Sequence, residues 1–207
     1  VAGTIPIAVG AALKAKLKNE NSISIAFFGD GACEEGVFHE SLNFASLHSL
    51  PIIFVAENNL FSSHLDIHLR QPSNKLSRFA DAHKIKNYTI DGNDVVKVFE
   101  TIQKEIKNLR KGSGPIFLEC ITFRHFGHVG HEENIDVGVK RTEKDVVNWK
   151  RVDPILRLSK SLIKKNIFSS KEIQNMSTEI INDIEKTYNS SKRKKITKQK
   201  KIKQFSY

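Results

Sequence analysis

The sequence of 207 residues contains few cysteines and no long apolar run. Cys33 and Cys120 are too few for a disulfide framework, and we expect both to be small buried residues of an intracellular protein. No apolar run approaches the roughly 18 residues of a membrane span, and no segment resembles a signal peptide. These absences exclude a disulfide-rich scaffold and a membrane-spanning helix, and they predict a cytoplasmic protein.

Methionine is almost absent, since Met176 is the only one and the chain begins with Val1. We therefore expect a fragment that lacks an amino-terminal part. The length still suffices for a hydrophobic core and makes one main domain the simplest expectation.

Acidic residues are missing from the end of the chain. The segment 189–207 holds eight lysine or arginine residues and no Asp or Glu, and without these cations the net charge falls from +10 to about +2. Such a composition predicts a disordered, solvated tail. Binding of a nucleic acid or an anionic membrane surface is the less favoured alternative, and it would be sensitive to salt.

Two short apolar runs, 23–28 and 52–56, are typical of buried parallel strands, because they are β-branched or aromatic and bounded by turn residues. Between them, 36–50 has apolar residues at helical spacing. The pattern predicts a β-α-β unit in an α/β fold with a parallel sheet flanked by helices. Polar residues follow both strands, at the edge where open parallel sheets bind ligands.

This edge carries groups suited to a metal-bound phosphate. Gly29 and Gly31 allow the backbone to approach a ligand closely, and the amino end of the following helix favours an anion. Asp30 and Asn59 each offer an oxygen, and Mg²⁺ takes one or two such ligands beside substrate phosphates and water. A Gly-Asp-Gly sequence alone is equally typical of a plain strand-ending turn with a capping aspartate.

The full string of residues resembles the thiamine diphosphate motif of one family, the α subunits of the 2-oxo acid dehydrogenases. The interval of 29 residues between Asp30 and Asn59 matches that family. The resemblance covers about 1–188. Its residues are Gly29-Asp30-Gly31-Ala32, Glu35-Gly36, Phe38-His39-Glu40, Asn43, Leu50-Pro51 and Glu57-Asn58-Asn59.

The resemblance implies roles for the residues of the motif. Asp30, Asn59 and the backbone carbonyl of Phe61 would bind Mg²⁺. Gly31, Ala32 and the helix after them would bind the diphosphate.

The resemblance also implies roles outside the motif. Val1 falls at a position that contacts the cofactor in the family, although an ordinary helix start explains it equally well. Arg124 and His128 match an active-site loop in which an Arg and a His face the cofactor, and they are the candidate catalytic residues. The segment 132–141 has no Ser or Thr, so the serine phosphorylation pattern of pyruvate-type enzymes is absent.

The family's activity is decarboxylation of a 2-oxo acid with thiamine diphosphate and Mg²⁺, followed by transfer of the acyl group to lipoamide. We therefore expect a pyruvate-like substrate. The glutamate that activates the cofactor comes from a β subunit, so the expected partners are a β subunit, in an α₂β₂ assembly, and a lipoyl acyltransferase. The alternatives are a thiamine diphosphate-dependent enzyme acting on acetoin or a sugar-derived substrate, and a non-catalytic nucleic-acid-binding protein.

Further patterns predict the rest of the chain. We expect 1–150 to form the cofactor-binding domain, incomplete at its amino end, and 151–188 to add helices to it. Thr4, Asn93 or Asp94, and Ser169 or Ser170 are expected helix caps. The remaining elements are helices at 6–17, 76–83, 95–109, 153–165 and 169–188, a further helix that begins at 142–145, and strands at 88–90 and 115–122.

Overall fold

The computed structural model describes residues 1–129 and 143–193, without the side chains of residues 143, 145 and 193. The chain divides into two compact units, the first from Val1 to Arg157 and the second from Leu158 onward. In chain order its elements are α1 (Thr4–Leu17), β1 (Ser24–Gly29), a 3₁₀ helix (Asp30–Glu34), α2 (Gly36–Leu47), β2 (Ile52–Asn58), β3 (Phe61–Ser62), β4 (Leu65–Asp66), a second 3₁₀ helix (Ile67–Leu69), α3 (Ser77–Ala82), β5 (Lys86–Asp91), α4 (Val95–Leu109), β6 (Ile116–Ile121), α5 (Glu143–Arg151), α6 (Pro154–Lys164) and α7 (Ser170–Arg193).

Four strands of the first unit form a parallel sheet in the order β1-β2-β6-β5. The register aligns the carboxyl ends of the strands, with Gly29 opposite Glu57 and Ile121 opposite both Asn58 and Asp91. The predicted parallel α/β fold is confirmed. The residues that follow these strands are therefore brought to one edge of the sheet.

The hydrophobic core lies on both faces of this sheet, because successive residues of a strand point to opposite sides. One face, with α1, α2 and α3, buries Phe28, Phe38 and Phe117. The other face packs Ile53 and Leu118 with the end of α4. The core fixes the positions of the strand ends, and each fully buried large apolar side chain contributes about 1.5–3 kcal/mol to stability.

Both cysteines are buried, as predicted, and each is a free thiol. Burial raises the pKa of the Cys33 thiol. Burial together with nearby negative charges raises the pKa of the Cys120 thiol to about 11. Two local predictions were wrong. Thr4 is the first residue of α1 rather than its cap, since Gly3 occupies the cap position. The helix predicted at 36–50 ends at Leu47, because Ser49 takes a positive φ of 44° that a helix does not allow.

The second unit contains the rest of α6 and all of α7. Ser169 caps α7, because Ser169 Oγ accepts from the Glu172 N–H at 3.2 Å and Glu172 Oε2 accepts from the Ser169 N–H at 2.7 Å. The predicted disordered tail is wrong for 189–193, which continue α7 to Arg193 since no Gly or Pro interrupts it. The rest of the predicted tail, 194–207, lies outside the described residues. Among the described helices, none is long and apolar enough to cross a membrane.

Candidate functional site at the carboxyl edge of the sheet

A 3₁₀ helix that was not predicted follows β1 directly, ahead of the predicted helix α2, and packs against β3. Gly31 makes this approach possible. A Cβ atom on Gly31 would lie 2.3 Å from Ser62 Oγ and 2.8 Å from Ser62 Cβ, which no real contact allows. The glycine therefore leaves room for the Ser62 side chain against the backbone of this loop, and it brings Asp30 beside the strand that contains Phe61.

Asp30 is the buried carboxylate of this edge, with a side chain only 1% exposed. Arg70, whose own side chain is 6% exposed, binds Asp30 Oδ2 through one guanidinium nitrogen and Glu34 Oε1 through another. The Arg70 Nε atom donates to the Leu65 carbonyl at 3.1 Å. Burial raises the pKa of Asp30 above its usual value, although the hydrogen bond and charge of Arg70 oppose the shift.

Asn59 and Phe61 share one tight turn after β2. The Asn59 Oδ1 atom accepts from the Phe61 N–H at 3.0 Å, an Asx turn that fixes the course of the backbone at Phe61. A carboxylate, an amide oxygen and a backbone carbonyl are all hard oxygen donors of the kind that Mg²⁺ prefers. With the buried Asp30 and the close approach at Gly31, these residues fit a divalent metal that holds a diphosphate.

Asn58 has a different role from its neighbour Asn59. Its side chain is fully buried, and its Nδ2 atom donates to Glu119 Oε1 at 2.8 Å and to the Asn74 carbonyl at 3.0 Å. Neutral donors complete the surroundings of the Glu119 carboxylate: the N–H groups of Leu76 and Ser77 at 3.1 and 3.0 Å and Thr89 Oγ1 at 3.1 Å. Sequence reasoning missed this network, whose only signal was one Glu inside an apolar strand.

Arg124 and His128, the candidate catalytic residues, meet the tip of the β3–β4 hairpin. Arg124 Nη2 donates to the Ser63 carbonyl at 2.8 Å, and Arg124 Nη1 lies 3.4 Å from His128 Nδ1. The His64 and His128 rings pack edge to face, with centroids 5.8 Å apart. The structure thus joins the predicted Arg–His pair to the hairpin that begins with Phe61.

The far end of the edge carries a second arginine between two carboxylates. Arg157, near the start of α6, binds Asp91 Oδ2, and its Nη2 atom lies 2.8 Å from Asp94 Oδ2. Asp94 also caps α4 by accepting from the Lys97 N–H, as predicted. Burial opposes ionisation of Asp91, but the bond to Arg157 and the Asn93 N–H together hold the pKa of Asp91 below its usual value.

The remaining predictions for the site concern Val1, a metal cluster and the rest of the active-site loop. Val1 is 96% exposed, and its cofactor contact stays a prediction. Within 1–129 and 143–193, no three His, Cys, Asp or Glu residues cluster as metal ligands. The segment 130–142, which holds the rest of the predicted active-site loop, lies outside the described residues.

A surface cavity of about 340 Å³ lies at the opposite edge of the sheet, before β1 and β2. Its charged side chains, Lys16, Glu20 and Arg110, are all exposed. Because ligands of parallel sheets bind at the carboxyl edge, this cavity does not compete with the site around Asp30.

A parallel α/β sheet whose carboxyl edge carries a buried aspartate, an amide and arginines is typical of a domain with a polar ligand site at that edge. The family model described as "Dehydrogenase E1 component" matches residues 1–200, and the chain belongs to this family. This is a family of thiamine diphosphate-dependent enzymes, so the predicted family and the predicted thiamine diphosphate are both confirmed, whereas Mg²⁺ stays a prediction.

Curated relatives agree with this assignment. The chain is 38% identical over 128 residues to the α subunit of acetoin:2,6-dichlorophenolindophenol oxidoreductase of Bacillus subtilis, covering 62% of this chain and 38% of that protein. It is 35% identical to the chloroplastic pyruvate dehydrogenase E1 component subunit alpha-3 of Oryza sativa, over 87% of this chain and 44% of the relative. A third relative is the 2-oxoisovalerate dehydrogenase subunit alpha of Bacillus subtilis, with 29% identity over 86% and 53% of the two chains. The chain thus spans about half the length of the curated relatives it matches, or less.

Proposed function

We propose that this chain is the cofactor-binding part of an E1 α subunit that decarboxylates a pyruvate-like 2-oxo acid and passes the acyl group to lipoamide. One observation carries the proposal. In a chain of this family, the structure packs the loop of the buried Asp30 against β3, which follows Asn59 directly. This arrangement suits a metal-bound diphosphate at the carboxyl edge of the sheet.

The residues of the edge have separate tasks in this proposal. Asp30, Asn59 and the Phe61 carbonyl would hold Mg²⁺, and the backbone at Gly31 and Ala32 would bind the diphosphate. When bound, thiamine diphosphate supplies the group that stabilises the carbanion formed by decarboxylation.

Arg124 and His128 act together on the reacting side. Arginine only donates, so in the tautomer that makes a hydrogen bond across this 3.4 Å contact, His128 Nδ1 accepts from Arg124 Nη1 and Nε2 carries the proton. The Nε2 atom is therefore the one that can donate to a phosphate oxygen or to the reacting group. Arg124, tied to the Ser63 carbonyl, orients that ring and places a cation at the same edge.

We also propose a β subunit in an α₂β₂ assembly, a lipoyl acyltransferase as a further partner, and a cytoplasmic location. Acetoin is the second candidate substrate, because the relative at 38% identity is named for acetoin. The sugar-derived substrate and the nucleic-acid alternatives stay predictions that no observation on the described residues favours.

The test uses the full chain purified with its β subunit. Calorimetry measures thiamine diphosphate binding with Mg²⁺, and reduction of a dye acceptor is compared for pyruvate, a branched-chain 2-oxo acid and acetoin. We expect binding and turnover of a 2-oxo acid, and loss of both in Asp30→Ala. Unchanged cofactor affinity in Asp30→Ala would overturn the metal site, and turnover of acetoin alone would establish the second candidate.

A further inference from the structure

Arg70 is held by two parts of the first unit, strand β4 and the 3₁₀ helix Asp30–Glu34. Its Nε atom donates to the Leu65 carbonyl of β4, and its two terminal nitrogens bind Glu34 and Asp30. The side chain is 6% exposed. Because a guanidinium is planar and its donors are fixed relative to one another, the first two bonds set the direction of the third.

A chain of side-chain hydrogen bonds supports the anchor on Glu34. Arg78 Nη2 donates to Gln71 Oε1 at 3.1 Å, and Gln71 Nε2 donates to Glu34 Oε1 at 2.8 Å. Arg78 in turn lies over the Phe79 ring, 3.9 Å from its centroid. Arg70 is therefore a fixed part of the framework, and its position does not depend on Asp30 alone.

The charges around Arg70 also favour a structural role for this residue. Glu34 offsets the charge of Arg70, so the pair leaves the negative charge of Asp30 available to a divalent cation. Arg70 occupies Oδ2 of the Asp30 carboxylate and thereby limits the rotation of that group.

We propose that Arg70 is a positioning residue of the metal site, which holds Asp30 Oδ2 so that Oδ1 faces the Mg²⁺ position. This inference rests on the proposed function, because it assumes that Asp30 is a metal ligand. Arg70 does not bind the metal in this scheme and acts only through Asp30.

The test measures Mn²⁺ binding by electron paramagnetic resonance, on the full chain with its β subunit and saturating thiamine diphosphate. In Arg70→Met we expect the dissociation constant of Mn²⁺ to rise about 10- to 100-fold, the usual effect of losing a residue that orients a ligand. Arg70→Lys keeps the charge but loses the planar set of fixed donors of the guanidinium, so its affinity for Mn²⁺ should lie between those of Arg70→Met and the wild type. Arg157→Met is the matched control and should bind Mn²⁺ like the wild type.

The spectrum of bound Mn²⁺ separates positioning from mere structural support. A carboxylate that rotates changes the zero-field splitting of the bound ion in Arg70→Lys, whereas a merely structural role would leave the spectrum unchanged. If Arg70→Met does not fold, Arg70→Lys alone tests the inference, and the dissociation constant of Mn²⁺ in that variant should rise about tenfold. Wild-type or tighter binding in the folded Arg70 variants would overturn the inference, and tighter binding would show that Arg70 competes with the metal.

Asp30→Ala, measured in parallel, distinguishes the two proposals. Loss of Mn²⁺ binding in Asp30→Ala together with normal binding in the Arg70 variants would overturn only the role of Arg70. Normal binding in Asp30→Ala would overturn the metal site itself, and with it the proposed function.

Discussion

Two arginines at the carboxyl edge of the sheet each join two acidic residues, yet they differ in burial. Arg70 binds Asp30 and Glu34 with a side chain that is 6% exposed, whereas Arg157 binds Asp91 and Asp94 with a side chain that is 41% exposed. An exposed pair exchanges its partners for water at little cost, but a buried charge that loses its partner has no such replacement. Burial, rather than the number of ion pairs, therefore decides which end of the edge depends on its arginine.

The largest effect should follow removal of the buried arginine. We expect Arg70→Met to lower the free energy of unfolding by about 3–5 kcal/mol, because Asp30 is then left buried without its cation. Urea denaturation followed by circular dichroism measures the change. Arg157→Met is the control, and its unfolding curve should shift far less than that of Arg70→Met, because an exposed ion pair contributes little. Equal losses in the two variants would show that burial does not distinguish the two arginines.

An intermediate loss of stability is expected at Asn58, the neighbour of Glu119. Glu119 extends the comparison, because it is a buried carboxylate whose described partners are neutral donors instead of an arginine. Asn58→Ala removes the donor to Glu119 Oε1 and to the Asn74 carbonyl, and should lower the free energy of unfolding by about 1–3 kcal/mol. Calorimetry in the presence of Mg²⁺ should show that cofactor affinity changes far less than in Asn59→Ala. A larger loss of affinity in Asn58→Ala would place Asn58, rather than Asn59, at the metal.

The smallest expected effect is a dependence of stability on pH. Arg70 and Arg157 each bind an aspartate, and the pKa values of these two aspartates are shifted in opposite directions. The pKa of Asp91 is lowered by its bonds, so its contribution to stability is present above its ordinary value of 3.8 and is lost as the pH falls through the lower folded value. The raised pKa of Asp30 gives the opposite slope, since ionisation of that buried group opposes folding above 3.8.

Unfolding free energies of the wild type and Asp91→Asn, measured between about pH 2.5 and 5, test this sign. We expect the wild type to lose more stability than Asp91→Asn as the pH falls through this range. Parallel pH profiles would contradict the assigned direction.

Local patterns predicted much of this molecule. The β-α-β unit followed from short apolar runs around a helical stripe, and α4 has the predicted bounds of Val95 and Leu109 because Asp94 caps it. Asp30 and Asn59 could be found because a motif of residues close in sequence resembles one family. Nothing comparable marks Arg70, which reaches Asp30 from 40 positions away through a hairpin with no helical or strand periodicity. Asn58 and Glu119 are further apart still, and only the register of β2 on β6 brings them together.

The strand order has a consequence for how this domain is made on the ribosome. β6 lies between β2 and β5, although it is the last of the four strands in the chain. Until residues 116–121 leave the exit tunnel, β2 keeps one unpaired side, β5 lacks the strand it pairs with in the described sheet, and Glu119 has not yet reached Asn58. The loop around Asp30 and the segment 61–70, which holds the hairpin and Arg70, are synthesised earlier and can associate first. The sheet is completed later, because β6 pairs with residues far away in sequence.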